Sequence, residues 1–285
     1  IGGEKMASKR KKLGFFHLRK ILFTGIMLCV SVIFFFPFYM MVMMATHATN
    51  ELYTGIHLLP GTRGLYNAQI VLEAGFLQYY FNSLYVAVLV TAFSVLVSMA
   101  CGYALAKYSF KGREAFFVFI MITMMIPPQI GLVGFVTEMK QMGWLGSHLP
   151  LIVPPAANAF GVYWMRQYAR SFIPISIMES ARIDGCGEFQ TFFRIIIPMC
   201  KPAVITLAIL SFVASWNSYL IPLVVINKQE LYTMPIAISS IGSMFYAEYA
   251  GRIMALAIGT IPILIIFALG SKYFISGLSE GSVKE

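Results

Sequence analysis

Few residues in this 285-residue chain are of types that do chemistry. Four cysteines, Cys29, Cys101, Cys186 and Cys200, form no close pair, and four histidines, His17, His47, His57 and His148, are scattered. The short fixed spacings of a metal site are absent, and the thiols read as free, buried groups in a reducing compartment or in lipid. There is no Walker A loop, no Gly-x-Ser-x-Gly elbow and no His-Glu-x-x-His, so the chain shows no catalytic equipment of its own. Two sets remain. One is an acidic cluster, Glu179, Asp184 and Glu188, where Glu179 can brace Arg182 or pair outside the chain. The other is a group of amide and aromatic residues set in long apolar runs: Gln129, Asn158, Tyr163, Trp164, Trp216, Asn217 and Tyr219. Polar residues in apolar surroundings tend to face cavities, although Trp and Tyr also serve as packing or interfacial belt residues.

The elements that must hold these residues follow from composition. The chain is 59% hydrophobic and 12% charged, with mean hydropathy +0.77. A soluble domain carries roughly 25% charged residues. That excludes soluble domains, disorder, collagen-like repeats and disulfide scaffolds, and leaves a polytopic membrane protein. Six stretches lack Asp, Glu, Lys and Arg for long enough to cross a bilayer: 21–50, 74–106, 115–137, 141–165, 202–227 and 253–271. They are continuous rather than alternating, so the spans are helices and not a barrel. The expected spans are about 21–45, 81–106, 115–137, 149–168, 202–226 and 253–273. A seventh apolar stretch, 231–247, contains Pro235, Gly242 and three serines, and reads as a loop or re-entrant segment.

Charge sets the orientation. With the N-terminus inside, the inner segments hold 17 of the 21 basic residues, and the outer ones hold only Arg63, Lys140, Lys228 and Arg252. That satisfies the positive-inside rule and puts both termini in the cytoplasm. The net charge of +9 is then an orientation signal. The basic tail 1–20 is a topology anchor against anionic lipid rather than a nucleic-acid arm, and the first span is too long for a removed signal peptide. Ser94, Ser98 and Gly102 form a small-xxx-small stripe fit for helix packing. The outer segment 45–80, with Pro60, Gly61 and Gly64, is expected to hold an interfacial piece.

The inner connection 166–201 is longer than two antiparallel helices need. Pro174 can open a helix and Ser176 cap it, and Gly185 and Gly187 end it. A second helix restarts at Glu188, where Phe189, Phe192, Phe193 and Ile196 fall on one apolar face. By its residues alone this is a helical hairpin at the membrane surface, and one reading is that it merely caps the bundle.

The same segment resembles the cytoplasmic EAA loop of ABC-importer permeases. That pattern is Glu-Ala-Ala, three residues, Gly, nine residues, Ile-x-Leu-Pro. Here stand Glu179-Ser180-Ala181, Gly185 and Ile195-Ile196-Ile197-Pro198, with every spacing kept, and Asp184 matches the Asp-Gly common in sugar permeases. Elsewhere the chain resembles the maltose-type, MalG-like half of the carbohydrate importers: Asn82-Ser83-Leu84, the stretch from Gly102 to Gly112, Ile126-Pro127-Pro128, Trp216-Asn217, and the tail from Gly277 to Lys284. Ser180, Ile197 and Glu285 depart from the pattern.

The resemblance implies an all-α integral membrane protein with six transmembrane helices and the type I ABC importer permease fold, in a bacterial plasma (inner) membrane. It implies a basic cytoplasmic tail 1–20, a transmembrane domain 21–275 with a coupling loop 174–198, and a cytoplasmic tail 276–285. The implied partners are a second, different permease, two cytoplasmic ATPases and an extracytoplasmic binding protein. ATP and Mg would lie on the ATPases, no cofactor on this chain. Glu179, Ser180, Ala181, Asp184, Gly185, Ile195 and Pro198 would couple to the ATPase; Asp184 is equally a helix-end turn residue. Gly277, Gly281 and Lys284 would contact the ATPase dimer. The implied solute is a sugar or oligosaccharide, bound by hydroxyl hydrogen bonds and aromatic stacking. For that path the candidates are Gln129, Asn158, Tyr163, Trp164, Trp216, Asn217 and Tyr219. The rivals are the same machine for a glycerol phosphate ester or polyamine, a channel or secondary transporter, and an intramembrane enzyme. Buried carboxylates or a broken-helix repeat and a catalytic constellation, which the rivals outside the importer class need, are not evident.

Overall fold

A computed structural model describes the backbone of residues 2–242 and 248–280, and side chains within 19–242 and 248–272. Among the described residues every regular element is helical. In chain order they are α1 (Gly2–Met44), α2 (Gly64–Glu73), α3 (Phe76–Lys107), α4 (Arg113–Met125), α5 (Leu132–Gln141), α6 (Leu149–Ala156), α7 (Ala159–Phe172), α8 (Ile175–Ile183) and α9 (Glu188–Thr191). A π-helical turn, Phe192–Ile196, leads into α10 (Ile197–Met199) and α11 (Lys201–Trp216), then α12 (Leu220–Val225), α13 (Met234–Ser240) and α14 (Tyr249–Glu280).

Among the described residues three helices are long and apolar enough to cross a membrane: Arg19–Met44 within α1, α3, and Tyr249–Lys272 within α14. The other three expected spans are each two helices in series, not one. The 115–137 stretch breaks between α4 and α5, where Pro127 and Pro128 lack N–H groups and push their predecessors out of helical geometry. The 149–168 stretch breaks at 157–158, after Pro154 and Pro155. There the Asn158 side chain accepts from Gly161 N at 3.0 Å and caps α7. The 202–226 stretch breaks at 217–219, between α11 and α12. At 13 residues α4 is about 20 Å long, too short alone for a hydrocarbon core of ~30 Å. The 231–247 stretch folds in part as α13, a short buried helix.

The chain divides into two compact units. The first joins Ile1–Val71 with Gly242–Ile258. Within it the expected outer piece is α2, whose buried Asn67 donates to Ala45 O and His47 O, both at 2.8 Å. His47 faces two acceptors, Glu51 at 2.9 Å and Leu59 O at 3.0 Å. A carboxylate and a carbonyl on the two ring nitrogens favour the imidazolium, so its pKa is raised, first by Leu59 and then by Glu51.

The second unit, Leu72–Ile241 with Gly259–Glu285, is organised around α3. Its largest packing partner is α7, followed by α11 and α6. Ser94, Ser98 and Gly102 are all buried on it. A Cβ at Gly102 would lie 2.7 Å from Arg166 N and 2.9 Å from Val162 O, so only glycine lets α7 approach. One apolar cluster gathers Met99, Met165, Met178, Ile196 and Leu207 from α3, α7, α8, the π-helical turn and α11. At the same end Arg166, 4% exposed, reaches both oxygens of Glu114 at 2.9 and 2.8 Å and lies 3.7 Å over the Phe117 ring. Its role within the fold is to pin α4 to α7.

Candidate functional site

The expected hairpin is present. α8 starts at Ile175 with Pro174 in the N-cap position, and no side chain caps it; Ser176, expected to do so, sits in the first turn. Proline has no N–H to satisfy and holds a φ compatible with helix entry, so it starts the helix unaided. At the far end Gly185 has φ +78°. Its N–H bonds Arg182 O at 3.1 Å, and Cys186 N–H bonds Ala181 O at 2.9 Å. These two bonds are the Schellman ending, which places glycine at the left-handed residue. Gly187 then caps α9.

The two faces of α8 differ. Met178 and Ala181 are buried, so the small size of Ala181 lets α8 lie close on the core. Glu179, Ser180, Asp184 and Gly185 are exposed, as is Ile183 at 86%. Glu179 has no hydrogen-bond or ion-pair partner among the described residues, and it is Glu188, not Glu179, that holds Arg182, at 2.9 Å. Tyr108, beyond the end of α3, donates its hydroxyl to the same Glu188 carboxylate. These bonds, Tyr108 first and Arg182 second, hold Glu188 below the usual carboxylate range.

Of the expected apolar face, Phe189, Phe192 and Phe193 line one apolar hollow with Leu96, Ala100 and Tyr103 of α3. Phe192 and Ile196 are buried, whereas Phe189 and Phe193 are 82% and 53% exposed. The π-helical turn, with i→i+5 bonds, changes the 3.6-residue spacing only from Phe192 onward. Ile195 is half-buried in this turn and Pro198 is exposed in α10. The following helix leaves at 81° to the Glu188–Met199 segment.

A cavity of about 190 Å³ opens between α3, α6, α11 and the segment before α13. Its polar lining includes Ser83, Ser94, Asn158, Ser211, Ser218 and Thr233, and no charged residue. Asn158 Nδ2 donates to Ser94 Oγ at 3.3 Å, and Ser94 lies 3.5 Å from Ser211 Oγ. The buried Thr233 hydroxyl has no hydrogen-bond partner among the described residues. The chamber suits several ordered waters or a neutral hydroxylated ligand.

Asn158 is the one solute-path candidate at this cavity. The Trp216 indole is buried and donates to Gly259 O at 3.0 Å, between Phe212 and Tyr80. Trp164 donates to Ala203 O at 3.1 Å, and Tyr163 stacks with Phe117. Gln129, Asn217 and Tyr219 are exposed at the helix breaks. Gly277 lies in the last turn of α14, while Gly281 and Lys284 lie outside the described residues. Of the cysteines, all free, Cys200 is buried and Cys29 exposed. Sequence reasoning missed Ser83, Ser211 and Thr233 in the cavity, and Tyr108 at the hairpin, because their partners lie far away in the chain.

Residues 94–279 match the family model described as "Binding-protein-dependent transport system inner membrane component". The chain belongs to this family of inner membrane transport components. The permease component is 33% identical over 274 residues to the arabinooligosaccharides transport system permease protein AraQ of Bacillus subtilis, covering 94% of this chain and 97% of that one. It is 30% identical over 273 residues to the trehalose/maltose transport system permease protein MalG of Thermococcus litoralis, covering 94% and 98%. Against the lactose transport system permease protein LacG of Rhizobium radiobacter it is 30% identical, covering 87% and 90%. A crystal structure of a bacterial ABC transporter involved in the import of the acidic polysaccharide alginate shares the fold, with TM-score 0.78 at 22% identity over 90% of this chain and 97% of that one. The component therefore resides in the inner membrane as a permease subunit of an ABC importer.

Proposed function

We propose that this permease component imports a neutral sugar or oligosaccharide as one half of a heterodimer. Two cytoplasmic ATPases, carrying ATP and Mg, drive it, and an extracytoplasmic binding protein delivers the solute. The observation that carries the solute class is the set of relatives named for arabinooligosaccharides, trehalose/maltose and lactose, matched over roughly nine-tenths of the chain. The uncharged, hydroxyl-lined cavity supports it: a phosphate ester or polyamine would need a counter-charge there.

In this reading the six crossings are α1, α3, α4 with α5, α6 with α7, α11 with α12, and α14, with both termini cytoplasmic. The basic tail is 1–20, the transmembrane domain 21–275 and the C-terminal tail 276–285. The hairpin 174–198 is the coupling loop. Glu179, Ser180, Asp184 and Gly185 face the ATPase, Ala181 seats the helix, and Ile195 and Pro198 pass the movement to α11. Gly277, Gly281 and Lys284 touch the ATPase dimer. Asn158 leads the solute path; Gln129, Tyr163, Trp164, Trp216, Asn217 and Tyr219 shape its walls and breaks.

The test is reconstitution with the partner permease, ATPases and binding protein in proteoliposomes. The expected result is ATP hydrolysis stimulated by sugar-loaded binding protein, with accumulation of that sugar. Failure of any ATPase to co-purify would sink the assembly. Uptake of only charged solutes would sink the cargo.

A further inference from the structure

The hairpin has a weak point as a lever. α8 and α9 meet at residues 184–187, where Gly185 is left-handed and a Cβ on Gly185 or Gly187 would touch nothing within 4 Å. The Schellman bonds close the turn as far as Cys186, but with two glycines and no side chain packed beside them the angle between the helices yields easily. The joint transmits a push only if something outside it fixes that angle.

Glu188, the first residue of α9, is placed to do this. Across the joint, Arg182 of α8 gives both Nε and Nη2 to Glu188 Oε1, at 3.2 and 2.9 Å. The other oxygen, Oε2, accepts the Tyr108 hydroxyl. One carboxylate thus binds α8, α9 and the end of α3 together. Behind it the Tyr103 ring packs edge-on against Tyr108 at 5.6 Å and tilted against Phe192 at 5.7 Å. Lys107 Nζ donates to Ile173 O at 2.5 Å, just before Pro174. Residues 103–108 therefore hold the hairpin at its entry and at its joint.

We propose that Tyr108, Glu188 and Arg182 form a splint that stiffens the glycine joint and ties it to α3, so that displacing α8 moves the core helix instead of bending the turn. They are positioning residues, and the proposal rests on reading the hairpin as the ATPase contact. An exposed ion pair adds little to stability, so its effect is read in coupling. The pairing also leaves Glu179 available to a partner, since Arg182 is engaged elsewhere.

The experiment uses the complete importer in proteoliposomes and reads sugar taken up per ATP hydrolysed. Glu188→Gln and Tyr108→Phe are expected to keep ATP hydrolysis and lower that ratio about three- to tenfold. The exchanged pair R182E/E188R is expected to recover part of the loss seen in E188R alone. In parallel, Ser180→Cys is crosslinked to the ATPase in otherwise wild-type and E188Q backgrounds, and both are expected to react. No crosslink in the wild-type background removes the ATPase contact, and the splint with it. A crosslink together with a wild-type ratio in E188Q and Y108F overturns the splint alone. Tyr108→Phe removes a single oxygen, so it keeps the test decisive should E188Q assemble poorly.

Discussion

The α3/α7 seam and the α8/α9 hairpin both depend on glycine, for opposite reasons. At Gly102 an added Cβ meets backbone atoms of α7, which cannot yield. At Gly185 an added Cβ meets nothing, and only the positive φ restricts the residue. The seam turns its hydroxyls inward, at Ser94 and Ser98, while the hairpin turns Glu179, Ser180 and Asp184 outward. A lipid environment gives helices no hydrophobic reason to associate, so the seam is held by close fit. The hairpin buries little of its surface against this chain and, on the proposed function, offers the rest to the ATPase. Substitutions in the seam should therefore report on folding, and those in the hairpin on transport.

The sharpest way to break this contrast is Gly102→Leu. Overpacking against fixed backbone is expected to cost about 3 kcal/mol or more, leaving no monodisperse permease on size exclusion; a normal elution profile would refute the close fit. Next, Arg166→Ala removes a buried side chain that packs over the Phe117 ring and ties α7 to the exposed Glu114 carboxylate. A lowered Tm of the purified complex checks it. Gly185→Ala is expected to cost about 1 kcal/mol through the left-handed φ, with Gly185→Asn closer to wild type. Transport per ATP should fall more than Tm does. Glu179→Ala should leave Tm unchanged and still reduce ATP-driven uptake; a large loss of Tm would erase the distinction between the regions. The smallest effect is acid loosening of the joint. Glu188 has a folded pKa below its ordinary 4.5, so its contribution is complete above 4.5 and is lost as pH falls through the lowered value. Amide exchange at 185–191, corrected for intrinsic rates, should quicken only in that acid window, and not at all in E188Q.

The long spans were readable because α1, α3 and α14 are uninterrupted apolar runs. The breaks in the other three were half readable. Pro127 and Pro128 announce one, but the end of α6 and the capping role of Asn158 depend on where the helix is forced to stop. The hairpin's ending was legible because a Schellman turn is local chemistry of a few residues. Its second half was less so, since the π-helical turn at Phe192–Ile196 is a property of packing and not of local sequence. In the sequence Arg166 is only one more inner charge. Nothing near it in the chain says that it is 4% exposed and paired with Glu114. The hydroxyls of the cavity were equally silent, because Ser83 and Thr233 are brought together by tertiary packing alone.

The Arg166 pair also has a schedule. Its partner Glu114 lies 52 residues earlier in the chain, and at ribosomal rates that separation is a wait of roughly 3–10 s. Through that interval α4 has left the ribosome with its carboxylate lacking the cation that will pin it, and α7 does not yet exist. Completion of α7 is thus the earliest point at which this tie can form. A chain stopped short of it keeps α4 without its tie to α7.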